Sequence, residues 1–426
     1  MYNEVKNMKN KALKGFLLVL VTALLVCSLS SCSLLQGIGG QDADGATTTA
    51  TVQGNQTDIT PSGDIIINGD SVNNDITIQV QGGDLSAAAN EALRSVVSVY
   101  CDYGIAGAGG AGIIYQINAE GDAFIITNFH VVYNAKSTTP NKICSNISVY
   151  LYGMELEDYA IPATYVGGSM NYDIAVLRVE NNSILRTAYL NGTAKAAKIA
   201  DSDKITVGQR TLAIGNPTLG GISVSSGVIS VDSETINVQV AEDKSAVSLR
   251  VMRTDTPVNS GNSGGGFFND KGELIGIVNA KASSSEIENI GYAIPSNVAR
   301  GIADNIIDYC FGKSCETVMR GILGITIMPS ELYTRFDTAT GHLIKMETVI
   351  VESVSNGGLG AKILQKNDVI KSITIGGKTV EVTRTYHLID AMLDVRVGET
   401  VYFSIERGGQ TLTVSTVITS DCLVAY

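Results

Sequence analysis

Apolar and polar positions change period several times along the chain. Lys6, Lys9, Lys11 and Lys14 precede an uncharged apolar run from Phe16 to Leu29. A basic stretch followed by about 7–15 apolar residues reads as an export signal, since a spanning helix needs roughly 20. Counting on through Leu35 reaches that length, so an uncleaved anchor is the alternative. Residues 33–90 then hold seven Asp, no Lys or Arg and no aromatic residue. So polar a segment buries little and reads as a solvated tether. Within it, Asp64-Ile65-Ile66-Ile67 and Asp75 to Val80 are strand-like runs separated by turn residues. They suit a small hairpin, or an edge that pairs with another chain.

Ordered patterning begins near Leu85. Ser86 to Val97 reads as a short helix entering a strand. Short β-branched runs then alternate with Gly, Asn and Asp turns as far as residue 294. They include Ile147–Tyr152, Asp173–Val179, Thr211–Ile214, Gly227–Val231, Ser248–Arg253 and Glu273–Asn279. Many short strands with few helices predict an all-β barrel or sandwich. Ser296 caps a helical stripe of Val298, Ile302, Ile306 and Ile307 that ends at Phe311-Gly312. A second unit mixes strands (Thr348–Val354, Val369–Ile375, Thr400–Ile405, Thr411–Val417) with short helices near Gly360–Gln365 and Thr385–Leu393. The predicted boundaries are 1–31 (signal), 32–85 (tether), 86–312 and 316–420.

Composition narrows the chemistry. Hydrophobic residues make up 44% and charged residues 17%, enough to build a core. The net charge of −12 argues against nucleic acid, which needs a basic face. Three His and no His/Cys cluster leave no metal site to propose, and no cofactor motif is found. The apolar run ends Leu29-Ser30-Ser31-Cys32, which resembles the bacterial lipobox. Cys32 is therefore the predicted lipidation site and a membrane anchor. Cys101, Cys144, Cys310, Cys315 and Cys422 follow. Export permits disulfides; Cys310–Cys315 and Cys101–Cys144 are the candidate pairs.

The densest chemistry lies in Gly261-Asn262-Ser263-Gly264-Gly265-Gly266. A Gly before a Ser lets the backbone turn sharply and aim N–H groups into one concavity, an oxyanion hole. The phosphate-loop pattern is absent. A Ser hydroxyl needs a base, and Thr127-Asn128-Phe129-His130 supplies one at the end of an apolar strand. Asp173, at the head of Ile174–Val179, supplies the group that orients that base. The order His130, Asp173, Ser263 is that of the double-barrel serine proteases.

With those residues in view, the chain resembles the HtrA (Deg) family of exported serine proteases. The matching stretches are TNFHVV, YDIAVLRV, AIGNP, SSGVIS, NSGNSGG, GELIGIVNA and IGYAIPSNVA, in order across residues 95–300. The resemblance implies a mainly β fold of two six-stranded β-barrels, chymotrypsin-like, with the site in the cleft between them. It implies His130 as base, Asp173 as orienter and Ser263 as nucleophile, with the N–H groups of Gly261, Asn262 and Ser263 as oxyanion hole. The position six before the nucleophile, an Asp in proteases selective for Lys and Arg, is here Pro257. With Val258 and the backbone around Val278, Asn279 and Ala280 it predicts an apolar S1 pocket; Lys281 lies close by, and Asp255 is expected to turn away.

The second unit resembles a PDZ α+β domain through Arg320–Ile325, Leu364–Ile370 and Val397–Val401. Its carboxylate loop would be Ile322, Leu323 and Gly324, and its groove helix Tyr386–Leu393. His342 and His387 fall in this unit and are excluded as the base. The expected activity is ATP-independent endoproteolysis of unfolded or misassembled extracytoplasmic proteins at a bacterial membrane, with unfolded polypeptides and peptide C-termini as partners. The assembly usual in that family is a homotrimer. The competing classes are a catalytically idle peptide-binding scaffold and a holdase with incidental proteolysis.

Overall fold

Alternating apolar positions set the strands and Gly and Asn positions end them. The computed structural model describes the backbone of 64–69 and 76–81, together with 84–426 apart from 104–106, 140, 218–219, 281–289 and 311–317. The signal segment, Cys32, Lys281 and Cys315 lie outside the described residues. No helix among the described residues is long and apolar enough to cross a membrane. The two strand-like runs of the tether form strands β1 (Asp64–Gly69) and β2 (Ile76–Gln81), paired antiparallel from Asp64 opposite Gln81 to Gly69 opposite Ile76.

Residues 84–426 form a separate compact unit. Helix α1 (Ser86–Leu93) leads into β3 (Val96–Asp102), as its pattern predicts. Strands β4 (Gly107–Ile117), β5 (Ala123–Thr127), β6 (Asn146–Leu151), β7 (Ile161–Ser169) and β8 (Ile174–Val179) complete a closed barrel with β3, in the order β3-β4-β5-β8-β7-β6. A four-residue helix, α2 (Phe129–Val132), follows β5, and α3 (Ser183–Leu190) follows β8. The second barrel closes as β10-β11-β14-β13-β12-β9. Its strands are β9 (Arg210–Gly215), β10 (Ser223–Val238), β11 (Val247–Thr254), β12 (Gly266–Asn269), β13 (Leu274–Val278) and β14 (Gly291–Pro295). The two six-stranded barrels are those the resemblance implies.

Helix α4 (Ser296–Cys310) buries its apolar stripe in a core shared by both barrels. Val298, Ile302 and Ile306 meet Ile174 and Val176 of the first barrel and Leu274, Ile277 and Ile294 of the second. Cys310, at its end, is disulfide-bonded. Cys101 and Cys144 carry free, buried thiols, as does Cys422, so the structure does not form a Cys101–Cys144 bond. The two lie on neighbouring segments, and the Cys144 thiol donates instead to the carbonyls of Asp102 and Asn146.

The C-terminal part adds β15 (Met319–Gly321), β16 (Ile325–Asp337), β17 (His342–Val354), β18 (Val369–Ile375), β19 (Lys378–Glu381), helix α5 (Thr385–Ala391), β20 (Thr400–Arg407), β21 (Gln410–Val417) and β22 (Leu423–Ala425). Its sheet runs β16-β17-β18-β20-β21, with β19 on β18, while β15 pairs β22. The predicted strand at Thr348–Val354 is the inner end of β17. Among the described strands, the outer ends of β16 and β17 pair only with each other, in a long hairpin arm that bears exposed Leu332, Phe336 and Leu343.

Candidate active site

Three loops from two barrels converge on the site. His130 lies on α2, just after β5. Asp173 lies immediately before β8, the neighbour of β5, so adjacent strands deliver base and acid side by side. Ser263 sits in the loop from β11 to β12 of the second barrel. His130 Nε2 lies 2.8 Å from Ser263 Oγ, and His130 Nδ1 lies 2.7 Å from Asp173 Oδ2. The His130 backbone N–H donates to Asp173 Oδ1 at 3.0 Å. With Nδ1–H donated to the carboxylate, Nε2 is free to accept the Ser263 proton. Asp173 is fully buried, so its charge depends on these donors.

The nucleophile loop is built on glycine. Gly261 and Gly264 hold φ of +97° and +80°, in the left-handed region that favours glycine. A side chain on Gly261 would meet the Asn216 carbonyl oxygen, and one on Gly264 would meet Thr127 and the Ala111 carbonyl. Across the cleft, the Ala111 N–H donates to the Ser263 carbonyl at 2.8 Å, and Gly110 packs beneath it without room for a Cβ. The Gly-Ala-Gly-Gly-Ala-Gly run of β4 is therefore part of the site's support. Its signal in the sequence is a run of small residues where a strand would otherwise carry bulk.

Of the three expected oxyanion donors, two have free N–H groups. Neither Gly261 nor Ser263 donates its backbone N–H to a described residue. The Asn262 N–H does: it closes a turn on the Asn259 carbonyl at 2.9 Å. Asn262 is therefore removed from the hole, because the tight turn that exposes its neighbours consumes its own donor.

The expected S1 residues differ in what their side chains do. Pro257 is exposed, and its carbonyl accepts from Ser225 Oγ at 2.8 Å. Val258 is half-buried against Gly291. Val278 points into the core of the second barrel, and Asn279 Nδ2 donates to Asp173 Oδ2 at 2.9 Å. Val258 and the backbone around Val278–Ala280 remain the candidates for a pocket wall. Asp255 turns away, as expected: its carboxylate accepts the Val228 N–H at 2.7 Å. Asn128 was also missed by sequence reasoning; its side chain donates to the Asp173 carbonyl at 2.8 Å.

In the C-terminal unit, Ile322, Leu323 and Gly324 line a groove of about 230 Å³ with Ile325, Ile327, Leu388, Ile389 and Met392. The Ile322 N–H is engaged by the Cys422 carbonyl at 2.7 Å, so it is not available to a ligand. Leu323 and Gly324 donate to no described residue. His387 is buried on α5, and burial pushes its pKa down. Among the described residues no His, Cys, Asp and Glu group could hold a metal ion.

Comparison with known proteins agrees with this geometry. Residues 110–277 match the family model of a trypsin-like peptidase domain. The serine protease Do-like HtrB of Bacillus subtilis (strain 168) is 31% identical over 318 residues, covering 73% of this chain and 62% of that protein. The serine protease Do-like HtrA of the same organism is 28% identical over 338 residues, covering 78% and 68%. The periplasmic pH-dependent serine endoprotease DegQ of Escherichia coli (strain K12) is 34% identical over 270 residues, covering 62% and 50%. The chain thus spans half to about two thirds of the length of these relatives. With matching domain, relatives and double-barrel fold, this chain carries a trypsin-like peptidase domain and is homologous to the HtrA/DegP serine proteases.

Proposed function

We propose that this chain is a serine endopeptidase that hydrolyses unfolded or misassembled extracytoplasmic polypeptides through an acyl-enzyme. The observation that carries the reading is the unbroken hydrogen-bonded chain Ser263–His130–Asp173. As Ser263 Oγ attacks the scissile carbonyl carbon, its proton passes to His130 Nε2. The N–H groups of Gly261 and Ser263 receive the charge that develops on the carbonyl oxygen. The tetrahedral adduct collapses, the C–N bond breaks, and His130 returns the proton to the leaving amine. Water, deprotonated by His130, then cleaves the ester and restores Ser263.

The C-terminal unit acts in this reading as a PDZ domain. A peptide would add as a strand beside β16, with its terminal carboxylate on the N–H groups of Leu323 and Gly324. Export by residues 1–31 and lipidation at Cys32 would hold the enzyme at the membrane. An idle scaffold or a holdase has no use for an assembled nucleophile and base.

A fluorophosphonate that reacts only with activated serines tests the reading. It is expected to label the wild-type chain once and Ser263→Ala not at all. Ser263→Ala is expected to lose at least about 10³-fold in casein hydrolysis, because triad members act as a unit, with an unchanged melting temperature. Hydrolysis near the wild-type rate in that variant would overturn the assignment.

A further inference from the structure

We propose that Glu155 is a positioning residue, which latches the loop 216–222 to the first barrel and so holds Gly261 in place for the oxyanion hole. Glu155 lies in the loop between β6 and β7 of the first barrel. The loop 216–222 joins β9 to β10 in the second. Glu155 Oε1 accepts the Ile222 N–H at 3.1 Å, so a side chain of one barrel holds a loop of the other. Gly221, beside that donor, has a φ of +109° and presents no side chain to the carboxylate.

From Ile222 the connection passes to the nucleophile loop in two hydrogen bonds. The Gly221 N–H donates to Asn216 Oδ1 at 2.9 Å, which closes the loop at its base. The Asn216 N–H donates to the Gly261 carbonyl at 3.2 Å. The Asn216 carbonyl oxygen also occupies the place a Cβ on Gly261 would take. One residue therefore holds Gly261 through its carbonyl and against its Cα. A Cβ on Gly215 would come within 2.7 Å of Asn262 Cα, so the end of β9 backs directly onto the same turn.

Both ends of the latch are anchored. Met154, just before Glu155, packs against a core that includes Val97, Val99 and Leu151 of the first barrel. The Met154 N–H donates to the Leu151 carbonyl at 3.0 Å, and the Leu156 N–H donates to the Met154 carbonyl at 2.9 Å. Ile222 is buried in the core shared by the two barrels, and Asn216 is buried as well. A carboxylate that accepts a backbone N–H makes a charge-assisted hydrogen bond, roughly twice as strong as a neutral one. Loss of this acceptor frees the loop to shift, and the Gly261 N–H shifts with it. The hole works only with its donors about 2.7–3.1 Å from the developing oxyanion. Such a shift weakens the transition state while leaving ground-state binding nearly untouched.

The inference rests on the serine-endopeptidase reading, and labelling separates the two. If the fluorophosphonate fails to label wild type, that reading falls and the inference falls with it. If wild type labels, Glu155→Ala and Glu155→Gln test the latch in the full chain, with each rate corrected for the folded fraction from a thermal melt. The Ala variant is expected to lose about tenfold in kcat on a peptide substrate, with little change in KM. It is expected to bind a peptide aldehyde of the same sequence about tenfold more weakly, because the oxygen of the hemiacetal formed with Ser263 lies in the hole. The Gln variant keeps a carbonyl acceptor at the same reach and is expected to recover most of both losses. Should the Ala variant not fold, Glu155→Ser, which shortens the side chain nearly as far, carries the comparison. A folded variant without the acceptor that keeps the wild-type kcat and aldehyde affinity would overturn the proposal. A Gln variant no better than Ala would overturn it too. So would a rise in KM alone, which would make Glu155 a substrate contact, or a lower melting temperature at unchanged kcat, which would make it a brace between the barrels and nothing more.

Discussion

At the scale of single residues, the site depends on positions that tolerate no side chain and on donors that are already committed. Gly261 has both a left-handed φ and an Asn216 carbonyl oxygen where its Cβ would go. Gly261→Ala is therefore expected to destabilise the protein by about 1–3 kcal/mol. It should slow fluorophosphonate labelling of Ser263 as well, because the N–H of residue 261 must shift with the loop. Urea unfolding and the labelling rate together check this; normal values of both would show that the loop relaxes freely. The serine motif could be read from spacing because Gly, Ser and Gly are each needed for a local reason. The loss of Asn262 as a donor could not, since the acceptor it meets is set by how tightly the turn closes.

At the scale of elements, α4 shows how a short periodic stripe becomes a structural joint. Its apolar face was legible from residues three and four apart, but its partners were not. Ile302 is fully buried in the core shared by the two barrels. Ile302→Ala is expected to cost about 2–5 kcal/mol, measured by chemical unfolding, and to lower thermal inactivation temperature in parallel. A change under about 1 kcal/mol would mean that the joint repacks. The hairpin arm is the opposite case. The periodicity showed only the inner end of β17, because the outer ends of β16 and β17, which among the described strands pair with each other, carry the exposed apolar residues Leu332, Phe336 and Leu343.

At the scale of the whole molecule, ion pairs join the second barrel to the C-terminal unit. Arg250 of β11 pairs with Asp390 of α5 and with Asp203, and lies over the Tyr386 ring. Lys345 and Arg384 both reach Asp232. One guanidinium is shared by two carboxylates in a buried place, and burial pushes Asp390 up to about 6 from an ordinary 3.8, with Asp203 adding to the rise and Arg250 and Arg320 opposing it. Between those values the folded chain holds the proton and the unfolded chain releases it. The stability due to Asp390 is therefore greatest below pH 3.8 and declines as pH rises through 6. Asp390→Asn is expected to gain on wild type as pH is raised from about 4 to about 7, read as the difference in urea midpoint. A variant that loses ground over that range would show that pairing with Arg250 outweighs burial.

The sequence by itself pointed to many of the strands, the helix stripe of α4, the double-barrel architecture through its resemblance, and Ser263, His130 and Asp173 as the candidate triad. The strands and the helix stripe follow from local period, the candidate triad from residue types that the chemistry requires, and the double barrel from the family resemblance that the motifs carry. Only the tertiary structure decided which N–H groups remain open at Gly261, Ser263, Leu323 and Gly324. It also decided that the Asn279 side chain turns to Asp173, and that Cys101 and Cys144 stay unbonded. The physical reason is that these outcomes depend on which atoms meet when distant strands close into barrels. A hydrogen-bond donor has the same letter in the sequence whether its partner is a neighbouring carbonyl, a carboxylate across the cleft or a substrate.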